Sequence, residues 1–169
     1  RNSNNYHSIN SLITFCKPFD VISINKIDSK NDKISFSGKF KKGINKQFNT
    51  LSKVLYLLRK MDFLKSQSFK INVKKNIPHG SGLGSGSSNA ASLLNFLDKK
   101  MNLKLNKNKI TRIASKVGFD TPINLENKTT LIIGRNNKIS RLNMKLKLNI
   151  LIVFPNLIFS KKKIYKNNK

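Results

Sequence analysis

Between Pro78 and Ala91 the chain reads Pro-His-Gly-Ser-Gly-Leu-Gly-Ser-Gly-Ser-Ser-Asn-Ala-Ala, placing four of its eight glycines and four serines in one short run. Residues of these types at this spacing suit the binding of a phosphate chain. Glycine lets backbone N–H groups approach an anion with no Cβ in the way and adopts the φ > 0 conformations that turn successive amides toward one centre. A helix opening near Ser87 adds unpaired N–H groups and the positive end of its dipole, and serine hydroxyls reach phosphate oxygens or a magnesium ion. Pro78, Gly80, Ser81, Gly82, Leu83, Gly84, Ser85, Gly86, Ser87 and Ser88 are therefore expected to form a polyphosphate cradle, with Ser87 or Ser88 offering a hydroxyl to magnesium.

Two common nucleotide loops do not fit. A Walker loop closes on Gly-Lys-Ser/Thr, and a dinucleotide fingerprint needs an acidic residue about 20 positions on. A flexible Gly/Ser linker is the other reading of such composition. Its flanks argue against that: Phe69–Val73 alternates like a strand, and Ala90, Ala91, Leu93, Leu94 and Leu97 keep helical spacing.

A second candidate is Asp120, one of seven acidic residues, set between Gly118 and Thr121-Pro122. Phosphoryl transfer to an alcohol needs a carboxylate near the attacking hydroxyl. Spacing alone leaves Asp120 either in that role or as an ordinary turn aspartate.

The elements that position these residues follow from periodicity. Ser8–Phe15, Asp20–Ile27 and Lys33–Phe40 read as strands, the first two as partners, with Asp28-Ser29-Lys30-Asn31-Asp32 as a turn and antiparallel pairing throughout. Asn49–Leu64 reads as a helix, as does Lys107–Val117, and a third helix follows the loop to about Lys100. Phe69–Val73, Thr129–Ile133 and Leu148–Phe154 read as further strands. The pattern predicts an α+β fold with helices on one face of a mainly antiparallel sheet.

The loop resembles the second motif of the GHMP kinases, Pro-x-x-x-Gly-Leu-Gly-Ser-Ser-x-Ala. Its two extra residues before the serine pair are similar to the branch acting on a cytidine-diphosphate-linked methylerythritol. Tyr6-His7-Ser8-Ile9 resembles that branch's Asp-Gly-Tyr-His-x-Leu turn, with Asn4-Asn5 replacing Asp-Gly. Gly118-Phe119-Asp120-Thr121-Pro122 resembles Gly-Ala-Asp-Val-Pro, and Phe154-Pro155-Asn156 with Tyr165 resembles its His-Pro-Gly stretch and following aromatic.

The resemblance implies a small-molecule kinase that moves the γ-phosphoryl group of ATP, with Mg2+, to the acceptor's 2-hydroxyl in isoprenoid precursor synthesis. It implies Asp120 as the catalytic carboxylate, Asn49 and Lys75 as further ATP contacts, and Tyr6, His7 and Tyr165 around the cytosine. On the residues alone, Asn49 is equally an N-cap and Lys75 a solvated strand end. The family fold is an N-terminal β/α domain followed by a ferredoxin-like domain. The latter, and a lysine-bearing segment before Tyr6, are not in this sequence. A piece of a longer protein is therefore expected, with 1–154 as the ATP-binding domain and 155–169 beginning the connection onward. The rival readings are another GHMP kinase (sugar, homoserine or mevalonate type) and a basic nucleic-acid-binding module.

Composition sets outer bounds. The 169 residues suffice for a domain with its own core. A formal net charge of +27 would suit a nucleic-acid partner. However, the excess is lysine spread along an asparagine- and isoleucine-rich chain, and arginine, the usual reader of phosphates and guanine edges, is scarce. No run approaches the roughly 18–20 apolar residues of a membrane span. The lone Cys16, in an apolar run, is expected to be buried and inert, consistent with a reducing, cytoplasmic setting. No residue pattern indicates an oligomeric state.

Overall fold

The computed structural model describes residues 9–134, 138–144 and 146–154. In chain order the strands are β1 (Ile9–Ile13), β2 (Val21–Ile27), β3 (Lys33–Ser37), β4 (Ser68–Lys74), β5 (Thr130–Gly134) and β6 (Lys138–Arg141). The helices are α1 (Thr50–Lys60), α2 (Ser85–Lys100) and α3 (Lys107–Val117), followed by a 3-10 turn at Ile123–Leu125. Their residues fall into two compact units, one within Arg1–Lys17 and Glu126–Ile152, the other within Pro18–Leu125 and Val153–Lys169.

The larger unit is built on a sheet of order β2-β4-β3. Register puts Ile24, Ile71 and Ile34 side by side, and likewise Ile22, Val73 and Phe36, so that one face is continuously apolar. The three helices cover that face. Leu51, Val54, Leu55 and Leu58 of α1, Ala90, Leu93, Leu94 and Leu97 of α2, and Ile113, Ala114 and Val117 of α3 join Phe69, Ile71 and Val73 in one buried cluster. Burying each of the larger aliphatic side chains stabilises the fold by about 1.5–3 kcal/mol.

In the smaller unit β1, β5 and β6 form an antiparallel sheet, order β1-β5-β6, with Leu12 opposite Leu131 and Ile132 opposite Ile139. Arg141 of β6 donates from Nη1 to Thr130 Oγ1 at 2.7 Å.

The α+β class and the helical face hold, but the strand pairing departs from expectation. The strand after the N-terminus pairs with β5, not with β2, and β4 inserts between β2 and β3, lying parallel to β3. A parallel pair needs a crossover, and α1 supplies it between β3 and β4. The short 28–32 segment therefore steps over one strand instead of closing a hairpin. Position in the sheet follows burial: β4 carries the most buried apolar side chains, so it takes the centre.

Residues 148–154 form no strand. Leu148, Ile150, Leu151 and Val153 are exposed, and no described strand pairs with this run. Lys138–Arg141, by contrast, is a strand despite its polar sequence, because β5 offers it an edge. Cys16 is exposed, contrary to expectation, since it lies beyond the last residue of β1 and leaves the sheet. Among the described residues no helix is long and apolar enough to cross a membrane.

Candidate functional site

The loop between β4 and α2 is anchored at both ends and open between them. Pro78 and Ser85 are buried, whereas Gly80, Gly82 and Leu83 are exposed and Ser81 and Gly84 half-buried. Gly80, Gly82 and Gly84 take φ values of 75°, 79° and 70°. An L side chain would be strained in this left-handed region. A Cβ built at Gly82 or Gly84 meets no atom within 4 Å, so both face open space. At these two positions the backbone is left uncovered by any side chain of its own, which suits an anion cradle.

Helix α2 starts at Ser85, two residues before the expected opening near Ser87, with Gly84 as N-cap and no side-chain capping bond. The other two helices begin differently. Asn49 caps α1: its Oδ1 accepts from the amides of Leu51 (2.9 Å) and Ser52 (3.1 Å), and Ser52 Oγ accepts from the Asn49 amide in return. Asn106 caps α3 through the Lys109 amide at 2.9 Å. Asn49 also donates from Nδ2 to the carbonyls of Asn45 and Lys46, so its whole amide group serves the cap.

Three element ends meet at the start of α2. Thr50 Oγ1, at the start of α1, donates to the Gly86 carbonyl at 2.8 Å. Lys53 Nζ reaches the Val117 carbonyl at the end of α3 (3.1 Å). Gly118 packs so closely that a Cβ there would lie 3.3 Å from Thr121 Oγ1 and 3.9 Å from Ser87 Oγ. The turn carrying half-buried Asp120 is thus held beside the first turn of α2, with the Asp120 carbonyl accepting from Asn124 Nδ2 at 2.7 Å. Thr121 is fully buried, and its hydroxyl has no hydrogen-bond partner among the described residues.

Beneath the loop lies a feature that sequence reading missed. Asp20, with a fully buried side chain, pairs with Lys75 and accepts from Asn89 Nδ2 (2.9 Å) and from the amides of Asn76 (2.8 Å) and Ile77 (3.0 Å). Burial alone would raise its pKa; the bonds from Lys75, Asn89, Ile77 and Asn76 outweigh that and hold the carboxyl below its ordinary value. Lys75 is 3% exposed, and its ammonium also donates to Ser85 Oγ at 3.0 Å. It is a buried support, not a solvated strand end. The one sequence signal for Asp20 is the scarcity of acids in so basic a chain.

Tyr6, His7 and Tyr165 lie outside the described residues. Ser87 and Ser88 are half-buried in the first turn of α2.

One α+β unit thus carries a glycine loop, the uncapped helix that it opens and an aspartate turn beside that helix. Residues 49–125 match the family described as GHMP kinases N terminal domain. It is similar to the 4-diphosphocytidyl-2-C-methyl-D-erythritol kinase of Pelagibacter ubique, with 39% identity over 94% of this chain and 56% of that protein. It is likewise similar to the kinase of that name from Caldicellulosiruptor saccharolyticus, 31% identical over 95% of this chain and 54% of the relative. The chain thus spans about half the length of these curated relatives.

Among solved structures, a 4-(cytidine 5'-diphospho)-2C-methyl-D-erythritol kinase superposes with a TM-score of 0.63 and 21% identity, over 86% of this chain and 50% of that one. A homoserine kinase from Cytophaga hutchinsonii also gives 0.63, at 19% identity, over 75% of this chain and 44% of that chain. These two likenesses establish the fold.

Proposed function

We propose that this chain forms the ATP-binding part of a kinase that transfers the γ-phosphoryl group of ATP to the 2-hydroxyl of 4-diphosphocytidyl-2-C-methyl-D-erythritol. The observation that carries the reading is the uncapped start of α2 at Gly84, lined by left-handed glycines and set against the Gly118–Thr121 turn. Helix N-termini of this kind favour negative charge through unpaired amides and the helix dipole. The relatives' names supply the acceptor.

In this reading the amides from Gly80 to Ser88 hold the polyphosphate, and the Ser87 and Ser88 hydroxyls are available beside it. Among the described residues no three His, Cys, Asp or Glu side chains gather as a metal site. The chain therefore fits a Mg2+ ion carried in on the nucleotide phosphates, with Ser87 or Ser88 as its protein oxygen. Bound there, the ion would neutralise phosphate charge. Asp120 accepts the proton of, or orients, the acceptor hydroxyl brought next to the γ-phosphoryl group. Pro78, Ser81, Leu83, Ser85 and Gly86 shape the loop, while Lys75 holds it and Asn49 caps the neighbouring helix α1. Tyr6, His7 and Tyr165 remain proposed cytosine contacts, a flat base being suited to aromatic faces and a polar edge. A cytoplasmic setting accompanies this reading.

The test is Asp120→Asn in the full-length protein carrying this sequence. Turnover of the cytidine-bearing acceptor is expected to fall by about 10²- to 10⁴-fold, the size of a general-base contribution, with MgATP affinity nearly unchanged. Undiminished turnover removes Asp120 from the chemistry, and preference for a plain sugar or homoserine in the same assay removes the acceptor.

A further inference from the structure

We propose that Asp20 is a positioning residue for the phosphate loop, acting through Lys75 and Ser85. The proposal rests on the reading of the loop as a polyphosphate site and adds what fixes its geometry.

One carboxylate ties both ends of the loop. Asp20 Oδ1 accepts from the Asn76 and Ile77 amides, which lead into Pro78, at 2.8 and 3.0 Å. Its Oδ2 accepts from Asn89 in the second turn of α2 and from the Lys75 ammonium. Lys75 is itself placed by close backbone packing. Its amide donates to the Ser37 carbonyl at 2.8 Å, and a Cβ at Gly38 would come within 2.7 Å of its carbonyl oxygen. Gly38 sits at φ 85°, so a glycine is needed there on both counts.

The direction of the hydrogen bonds then follows from donor counting. Lys75 Nζ has only protons to give, so Ser85 Oγ must accept at 3.0 Å. The serine's own proton is left to donate elsewhere. Ser85 is the first residue of α2, beside the uncapped amides, so that proton becomes one more donor for a phosphate oxygen. Asp20 supplies the counter-charge beside the buried Lys75 ammonium. A buried ion pair adds little net stability over apolar residues of the same size. Its use here lies in orientation: Asp20 holds Lys75, and Lys75 holds Ser85 at the start of the uncapped turn.

The experiment is a double-mutant cycle on MgATP affinity in the full-length protein, with Lys75→Met, Ser85→Ala and both together. Each single change is expected to weaken MgATP binding by about tenfold, the scale of one hydrogen bond in a charge-assisted chain. The double variant should be no weaker than either single one, because the two residues act in series. Additive losses would overturn the relay by making Lys75 and Ser85 independent contacts. A second variant, Asp20→Asn with Lys75→Met, removes both buried charges. It should retain a thermal midpoint near that of the unmodified protein yet keep the weakened MgATP binding; unmodified affinity would overturn the positioning role. If the unmodified protein itself fails to bind MgATP, the polyphosphate reading falls first.

Discussion

The first turns of α1 and α2 lie side by side, bridged by Thr50 and Gly86, and they are built in opposite ways. At α1 the Asn49 side chain takes up the Leu51 and Ser52 amides, and Ser52 returns a bond, leaving a closed helix end. At α2 the cap is Gly84, with no side chain to offer, and the support comes from below through Asp20, Lys75 and Ser85. A purely structural helix start is best served by Asn, Asp or Ser at the cap. An end left open by glycine and held by buried charge leaves its amides without a side-chain cap, as the proposed polyphosphate site needs.

The contrast can be broken most forcefully at Asp20. Asp20→Asn leaves the Lys75 ammonium buried without its counter-charge and should destabilise the protein by about 3–5 kcal/mol, as removal of one partner of a buried pair does. Denaturant unfolding checks this, and a loss below about 1 kcal/mol would mean the pair is not buried as described. The same carboxylate gives a pH signature. Its folded pKa is lowered, so its contribution is fully present above the unfolded value of about 3.9 and is lost as pH falls through the lower folded value. Thermal midpoints measured downward from pH 6 should fall below about pH 4. The fall should be shallower in Asp20→Asn with Lys75→Met. The smallest effect belongs to the closed end: Asn49→Ala should cost about 1 kcal/mol of stability, the usual worth of an N-cap. If its main effect is instead on MgATP affinity, Asn49 touches the nucleotide and the contrast between the two helix ends is weaker than drawn.

What the sequence made legible were features fixed by near neighbours. The bounds of α3 at Lys107–Val117 follow from Ile110, Ile113, Ala114 and Val117 recurring at helical spacing. The loop announced itself because proline and glycine act on the backbone locally. Strand pairing was hidden because it depends on partners far along the chain: nothing between Asp28 and Asp32 reveals that β4 will enter between β2 and β3. The apolar run at Leu148–Phe154 carried strand propensity with no described partner, whereas the polar Lys138–Arg141 found one in β5. Asp20 was hidden for the same reason, since Lys75 and Asn89 lie 55 and 69 residues from it. Its role exists only once β2, β4 and α2 come together.

Titration of the isotope-labelled protein with MgATP, following backbone amide signals at both helix starts, asks directly whether the open end of α2 takes the nucleotide. Saturable shifts are expected across Gly80–Ser88, with the Leu51 and Ser52 amides, already held by Asn49, changing least. Loop amides that stay unmoved at saturating MgATP in a folded protein, or a response centred on Leu51 and Ser52, would contradict it.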